Sequence, residues 1–314
     1  MSNSVLTITM NPSVDISYPL EHLNIDTVNR VKDVSKTAGG KGLNVTRVLK
    51  QLDVPVTASG IIGGTIGQFI TDQLDENDID HAFMKIDQES RNCIAILHDD
   101  GAQTEILEAG PVLTSDDEES FLEHFDSQVS SFNLVTISGS LPQGLSKGLY
   151  SKMVGVAARH NVPVILDSSN VALRLALESD VKPFMIKPNQ DEIAQLIGKE
   201  ITDLNDLKDK LATEEIFQGI PWVVVSLGSQ GAFVKYQKNF FKVNIPKIHA
   251  INPVGSGDST VAGLAAGLVK DEKPEDIMKR AMTVGILNTL QEKTGNIDIS
   301  QYKDYFEKVD IVKY

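Results

Sequence analysis

Cysteine is nearly missing from this sequence. Cys93 stands alone among 314 residues, so no intrachain disulfide can form and a reducing compartment is expected. The six histidines and that cysteine fall at no spacing that suits zinc. Positive charge is short as well: 29 Lys and Arg face 43 Asp and Glu, a formal net charge of -14. That balance argues against nucleic acid and anionic membranes as partners. No apolar run approaches the ~18 residues needed to span a bilayer. The opening "MSNSVLTITMNPSVD" has neither the basic stretch nor the long apolar core of a signal peptide, so a cytoplasmic protein is expected. Two phosphate-binding motifs are also missing. No G-x-G-x-x-G follows the first apolar strand and GxxxxGK[ST] does not occur, which sets aside a dinucleotide-dependent dehydrogenase and a P-loop enzyme. Internal repeats, low-complexity tracts and linkers are absent.

What remains is ordinary globular material, 41% hydrophobic and 23% charged, long enough to bury a large core. "VLTITM" reads as a strand, "RVKDVSKT" as a half-exposed strand, and "RNCIAILHDDGAQTEILEAG" as a hairpin turning at Asp99, Asp100 and Gly101. In "GLNVTRVLKQL", Val45, Val48, Leu49 and Leu52 mark one face of a helix. From about residue 115, compact apolar strands ("NLVTISG", "VPVILDS", "PFMIKPN", "PWVVVSLG") alternate with helical stretches, the pattern of βαβ units and a mostly parallel sheet. The last third is mainly helical. The less apolar segments 12–20, 30–37 and 91–107 are assigned to a small β layer outside the main core. Polar clusters follow the apolar strands: "NPSVD", "SGSLP", "DSSN", "KPNQDE" and "SLGSQG". In an open α/β sheet such strand ends line one ligand crevice.

Several residues in that crevice could carry chemistry, each with a plainer alternative. In "NPVGSGDST", the Gly255-Ser256-Gly257 turn runs into a helix, where N–H groups and the dipole attract anions. Asp258 could accept a hydroxyl proton, or could simply cap the helix. In "TAGGKGLNVT", Gly39, Gly40 and Gly42 surround Lys41 at a helix N-terminus. A lysine there opposes the dipole, so binding an anion explains it better than stability, although a solvated lysine on a turn is the alternative. Asn44 in the first turn could bond sugar hydroxyls. Asp15 could accept from two vicinal hydroxyls or make an Asx turn. Arg91 could grip phosphate or lie on the surface. Lys187 and Asn189 could touch nucleotide phosphates and Glu192 could orient Mg²⁺, or the segment is only a helix start. Ser226, Gly228 and Gly231 could admit a flat base, or form a hairpin turn.

Together, "AGGKGLNVT" and "NPVGSGDSTVAGLA" resemble the paired signatures of the PfkB (ribokinase-like) carbohydrate kinases, and the intermediate clusters follow in the family's order across essentially the whole chain. Within the family, "NPSVDISYPL", "VNRV" and "SKTAGGKGLNVTRVL" are most similar to the tagatose-6-phosphate kinases, with the 1-phosphofructokinases as neighbours. The resemblance implies a ribokinase-like three-layer αβα sandwich, as a single domain over 1–314, with a small β-sheet lid that often forms a homodimer contact. It implies ATP and Mg²⁺, with Asp258 as base and Gly255, Ser256 and Gly257 as the anion hole. Asp15, Gly39, Gly40 and Asn44 would hold the sugar, and Lys41 and Arg91 its existing phosphate. Lys187, Asn189, Ser226, Gly228 and Gly231 would face ATP, Glu192 would support Mg²⁺, and Asn288 would lie near the adenine. The implied substrate is a ketohexose phosphate, tagatose 6-phosphate first, fructose 1-phosphate or fructose 6-phosphate as the alternative. A non-catalytic sugar-phosphate sensor is the reading from another class. One departure from the pattern is Asp53, where the family's helix commonly ends in glycine; strain is expected there.

Overall fold

A computed structural model describes residues 3–314, apart from the side chain of Asp100; residues 1 and 2 lie outside it. The chain opens with β1 (Val5–Thr9), β2 (Ser13–Pro19), β3 (Ser35–Gly39), α1 (Lys41–Gln51), β4 (Val56–Gly63) and α2 (Gly64–Glu76). Short strands β5 (Asp80–His81) and β6 (Met84–Ile86) lead to the hairpin β7 (Arg91–His98) and β8 (Ala102–Leu107). Alternation follows: α3 (Ser115–Val129), β9 (Leu134–Ser138), α4 (Leu149–Arg159), β10 (Val164–Asp167), α5 (Asn170–Glu178) and β11 (Met185–Ile186). After α6 (Gln190–Ile197) and α7 (Leu204–Thr213) come β12 (Trp222–Ser226), β13 (Ala232–Tyr236) and β14 (Asn239–Asn244). The end is α8 (Ser256–Val269), α9 (Pro274–Thr289), α10 (Tyr302–Lys308) and β15 (Asp310–Lys313).

The main sheet runs β15-β14-β13-β12-β11-β10-β9-β1-β4-β5, with β6 also on β4. Pairings from β5 through β12 are parallel, while β12 to β15 add an antiparallel edge. One face is covered by α1, α8 and α9, whose Val45, Val48, Leu49, Val261 and Leu287 pack on Val5, Leu134, Ile165 and Trp222. Each such side chain contributes roughly 1.5–3 kcal/mol by leaving water. The other face packs under α3 to α7 through Phe121, Phe125, Met153, Leu173, Ile193 and Leu207. The result is a three-layer αβα sandwich.

A second sheet, β3-β2-β7-β8, stands apart. Its Val14, Ile16 and Ala38 pack with Ile70 and Leu74 of α2. By the alternation of β2, the opposite face carries Ser13, Asp15 and Ser17, and the register sets Arg91 and Cys93 of β7 beside the first two. The third strand differs from the expected 30–37. Only Ser35–Gly39 pairs with β2, and residues 30–34, mostly exposed, find no partner strand. β13, β14 and β15 extend the sheet beyond the alternation of the sequence. The 91–107 hairpin is present, turning through a 3-10 segment at Asp99–Gly101. Asp53, just past α1, holds φ 54, the left-handed conformation that glycine would adopt freely. No helix among the described residues is long and apolar enough to cross a membrane.

Candidate active site

The carboxyl ends of β1, β9, β10, β11 and β12 open beside the N-termini of α1 and α8, so strand polarity alone gathers the polar clusters. Gly255 is the N-cap of α8 at φ 81, with no side chain capping the first amides. That left-handed turn suits glycine. A Cβ on Gly255 would also come within 2.4 Å of Thr294 Cγ2. The uncapped amides and the dipole leave an anion-binding helix start.

Asp258 occupies the third position of α8, not its cap, and is buried. Its Oδ2 accepts from Asn44 Nδ2 at 2.7 Å. Burial, reinforced by the charge of Asp167, pushes this carboxyl up to about 6, against the pull of the Asn44 bond and of Lys41 and Lys187. A carboxylate with that poise, on a concave site, can take a proton near neutral pH.

Asp167 ends β10, where the sequence shows only that "DSSN" closes an apolar strand. It is 4% exposed and pairs with Lys187 Nζ at 3.3 Å, while its Oδ2 has no partner. Lys187, just past β11, is also buried, and its Nζ lies 3.4 Å from where a Cβ on Gly257 would sit, at the anion-binding turn. Lys41 is the first residue of α1, with no acidic residue in that turn. Asp167 chiefly, then Asp258 and Glu192, raise its pKa despite partial burial. Its field therefore points to the Asp167–Asp258 end of the crevice.

Asp15 and Arg91 form the second end. The Asp15 carboxylate accepts from Ser13 Oγ at 2.6 Å and lies over Gly39, where a Cβ would fall 2.0 Å from Asp15 Cγ. Burial raises the Asp15 carboxyl, opposed by Ser13, Arg47, Arg91 and the Gly40 N–H. Arg91 donates to the carbonyls of Asn11 (3.2 Å) and Glu108 (2.9 Å). Gly40 caps α1 at φ 108.

The helix-start alternative for Asn189 and Glu192 is present in full. Asn189 Oδ1 accepts from the Glu192 N–H and Glu192 Oε2 from the Asn189 N–H, both at 2.8 Å. One oxygen of Glu192 stays outside this capping box. The hairpin alternative for Ser226, Gly228 and Gly231 is present too: β12 turns through Gly228–Gln230 into β13. Ser226 N–H donates to Pro188 O at 3.0 Å, which sets this hairpin beside Asn189. Asn288 lies against the glycine-rich turn, its Oδ1 3.5 Å from where a Cβ on Gly255 would sit. It is 1% exposed, donates to Val254 O at 2.9 Å and accepts from the Gly295 N–H at 2.8 Å. Both halves of its amide are spent tying α9 to the glycine-rich turn.

The described residues contain no cluster of three or more His, Cys, Asp or Glu able to hold a metal alone. The donor set still fits magnesium, which keeps several waters and arrives on substrate phosphates with one or two protein carboxylates; the free oxygen of Glu192 can serve.

Residues 3–301 match the family described as pfkB family carbohydrate kinase. A putative phosphofructokinase from Staphylococcus aureus is 31% identical, with 99% of each chain covered and a TM-score of 0.85. Phosphofructokinase-2 from Escherichia coli, solved with fructose-6-phosphate, is 25% identical, with coverage of 98% and 99% and a TM-score of 0.86. A possible 1-phosphofructokinase from Thermotoga maritima is also 25% identical, with 99% of each chain covered and a TM-score of 0.86.

Proposed function

Because the chain belongs to the pfkB family of carbohydrate kinases, we propose that it transfers the γ-phosphoryl of ATP to the free primary hydroxyl of a ketohexose phosphate. Tagatose 6-phosphate, giving tagatose 1,6-bisphosphate, is the substrate put forward. One observation carries the reading: a buried carboxylate poised near pH 6 stands in the first turn of an uncapped helix. Asp258 Oδ1, not engaged by Asn44, takes the hydroxyl proton as the oxygen attacks phosphorus. The amides of Gly255, Ser256 and Gly257 hold the charge on the transferred group. Lys187 and Lys41 stand at the same end and balance the rest. Asp15, Gly39, Gly40 and Asn44 hold sugar hydroxyls, and Arg91, beside Asp15, faces the phosphate already on the sugar. Lys187, Asn189, Ser226, Gly228 and Gly231 form the nucleotide side. Magnesium held by Glu192, directly or through water, would supply charge neutralisation on the phosphates. The small sheet acts as a lid over the sugar and as a homodimer contact.

The named phosphofructokinase relatives favour a second reading, in which fructose 6-phosphate or fructose 1-phosphate is the better acceptor. Initial rates with ATP and Mg²⁺ against the three sugar phosphates decide between them. The highest kcat/KM is expected with tagatose 6-phosphate. Preference for either fructose phosphate supports the second reading. Binding without turnover on any of the three overturns the kinase assignment in favour of a sensor.

A further inference from the structure

Arg47 lies on α1 one turn beyond Asn44 and is half-buried. Among the described residues no carboxylate pairs with it. Its donors go instead to oxygens of three different segments: Nη1 to the carbonyl of Ala38 in β3, Nη2 to Asn44 Oδ1, and Nη2 again to the carbonyl of Thr294 at 3.4 Å. Burial lowers its pKa, offset by the fields of Asp15 and then Asp258. A half-buried cation with no carboxylate paired to it is a costly way to fasten a helix, since an apolar side chain of similar volume fastens it as well. What the charge supplies here is donor polarity.

The amide of Asn44 is nearly symmetric in shape, and its oxygen and nitrogen can exchange by a half-turn. Arg47, which can only donate, stands at one end. Asp258, which when ionised can only accept, stands at the other. One orientation satisfies both ends: Oδ1 toward the guanidinium, and Nδ2 toward Asp258 Oδ2, 2.7 Å away. The reverse would set oxygen against carboxylate and N–H against N–H.

We infer that Arg47 is a positioning residue that locks the Asn44 amide, so that Asn44 occupies Oδ2 of Asp258 and Oδ1 is the oxygen left to receive the substrate proton. Asn44 thereby serves the base as well as the sugar. The inference rests on the proposed kinase reaction for its purpose, but not for its geometry. The charged groups that face Asp258 are Lys41 and Arg47 from α1, Asp167 at the end of β10, and Lys187 after β11.

The test is a double-mutant cycle read by ¹³C NMR titration of the Asp258 carboxyl, identified by its loss in Asp258→Asn. Arg47→Lys keeps a positive charge and removes the fork. It is expected to raise the Asp258 midpoint by about half a pH unit or more in the native background. In an Asn44→Ala background the same change should move it by less than a quarter of that. Equal displacement in both backgrounds overturns the inference, because Arg47 would then act on Asp258 directly or through general packing. Arg47→Met, run through the same cycle, carries the test where the lysine variant does not fold; the direct field of Arg47 cancels between backgrounds. In turnover, Arg47→Lys should cut kcat about tenfold and move the acid limb of kcat/KM upward, with both KM values within threefold. A protein that shows the NMR coupling but phosphorylates no sugar keeps the Arg47 assignment and loses the kinase one. A kinase with no coupling does the reverse.

Discussion

Replacing Asp258 with asparagine separates a base from a helix-capping residue, and burial adds a stability signature to the kinetic one. Desolvation pushes the carboxyl up to about 6 in the folded protein, against an ordinary 3.8. Below 3.8 it is protonated in both folded and unfolded chains and contributes nothing. Between 3.8 and about 6 the unfolded chain ionises first, so stability falls as pH rises. Above 6 the whole cost is present. That interval spans roughly two pH units, and at about 1.36 kcal/mol each the cost is about 3 kcal/mol. Asp258→Asn escapes it. The carbonyl of the new amide can still accept from Asn44, and Asp167 remains as counter-charge for Lys187 and Lys41. For a chain of this size 1 kcal/mol moves the melting temperature by about 2 °C. The variant should therefore melt about 5 °C above the parent at pH 7.5, with the gap closing toward pH 4. Scanning fluorimetry from pH 4 to 8 measures this directly. Turnover should fall by orders of magnitude while ATP binding persists. In the parent, kcat/KM should decline as pH drops through about 6, where the base becomes protonated. A gap that stays constant with pH refutes the desolvation argument, and near-normal turnover refutes the base.

Two further substitutions probe other parts of the crevice, and a third probes the far end of α1. Gly39→Ala would drive a Cβ to 2.0 Å from Asp15 Cγ, so KM for the sugar phosphate should rise at least tenfold with KM for ATP unchanged; an unaltered sugar KM would remove Asp15 from the site. Lys41→Met should lower kcat about a hundredfold or more and leave both KM values within a few-fold, because the field at Lys41 comes from Asp167 and Asp258. A change confined to the sugar KM would instead return Lys41 to the phosphate the substrate already carries. Asp53→Gly, at φ 54, should stabilise the fold by about 0.5 kcal/mol in chemical denaturation without altering turnover; destabilisation would mean that the aspartate makes a compensating contact.

Legibility in the sequence followed the range of the forces. α1 could be read because Val45, Val48 and Leu49 repeat at helical spacing, and all three are fully buried. The buried strands β9, β10 and β12 stood out as apolar runs, whereas β11 shrank to Met185–Ile186. The strand near residue 35 was misplaced because its limits are set by pairing with β2, a partner twenty residues away, and not by its own alternation. The site divides in the same way. Gly255, Lys41 and Asp258 announce themselves through local oddities: a glycine turn, an anti-dipole lysine and an acid beside both. Asp167 and Arg47 do not: Asp167 matters through Lys187 at the end of another strand, and Arg47 matters because the Asn44 it holds meets Asp258, far along the chain. Asn288 is a further case. Its position on α9 is visible in the sequence, but what its amide holds is not.

The bond between Asn44 and Asp258 joins residues 214 positions apart. At a synthesis rate of about 5–20 residues per second, the base emerges roughly 10–40 s after the helix that receives it. Under the proposed reaction, the growing chain carries Asp15, Gly39 and Asn44 throughout that interval, but no group to deprotonate a bound sugar and no glycine turn to receive a phosphoryl. Any product that stops short of α8 is equally silent. On the proposed reaction, catalytic competence waits for α8, so copies without it cannot spend nucleotide.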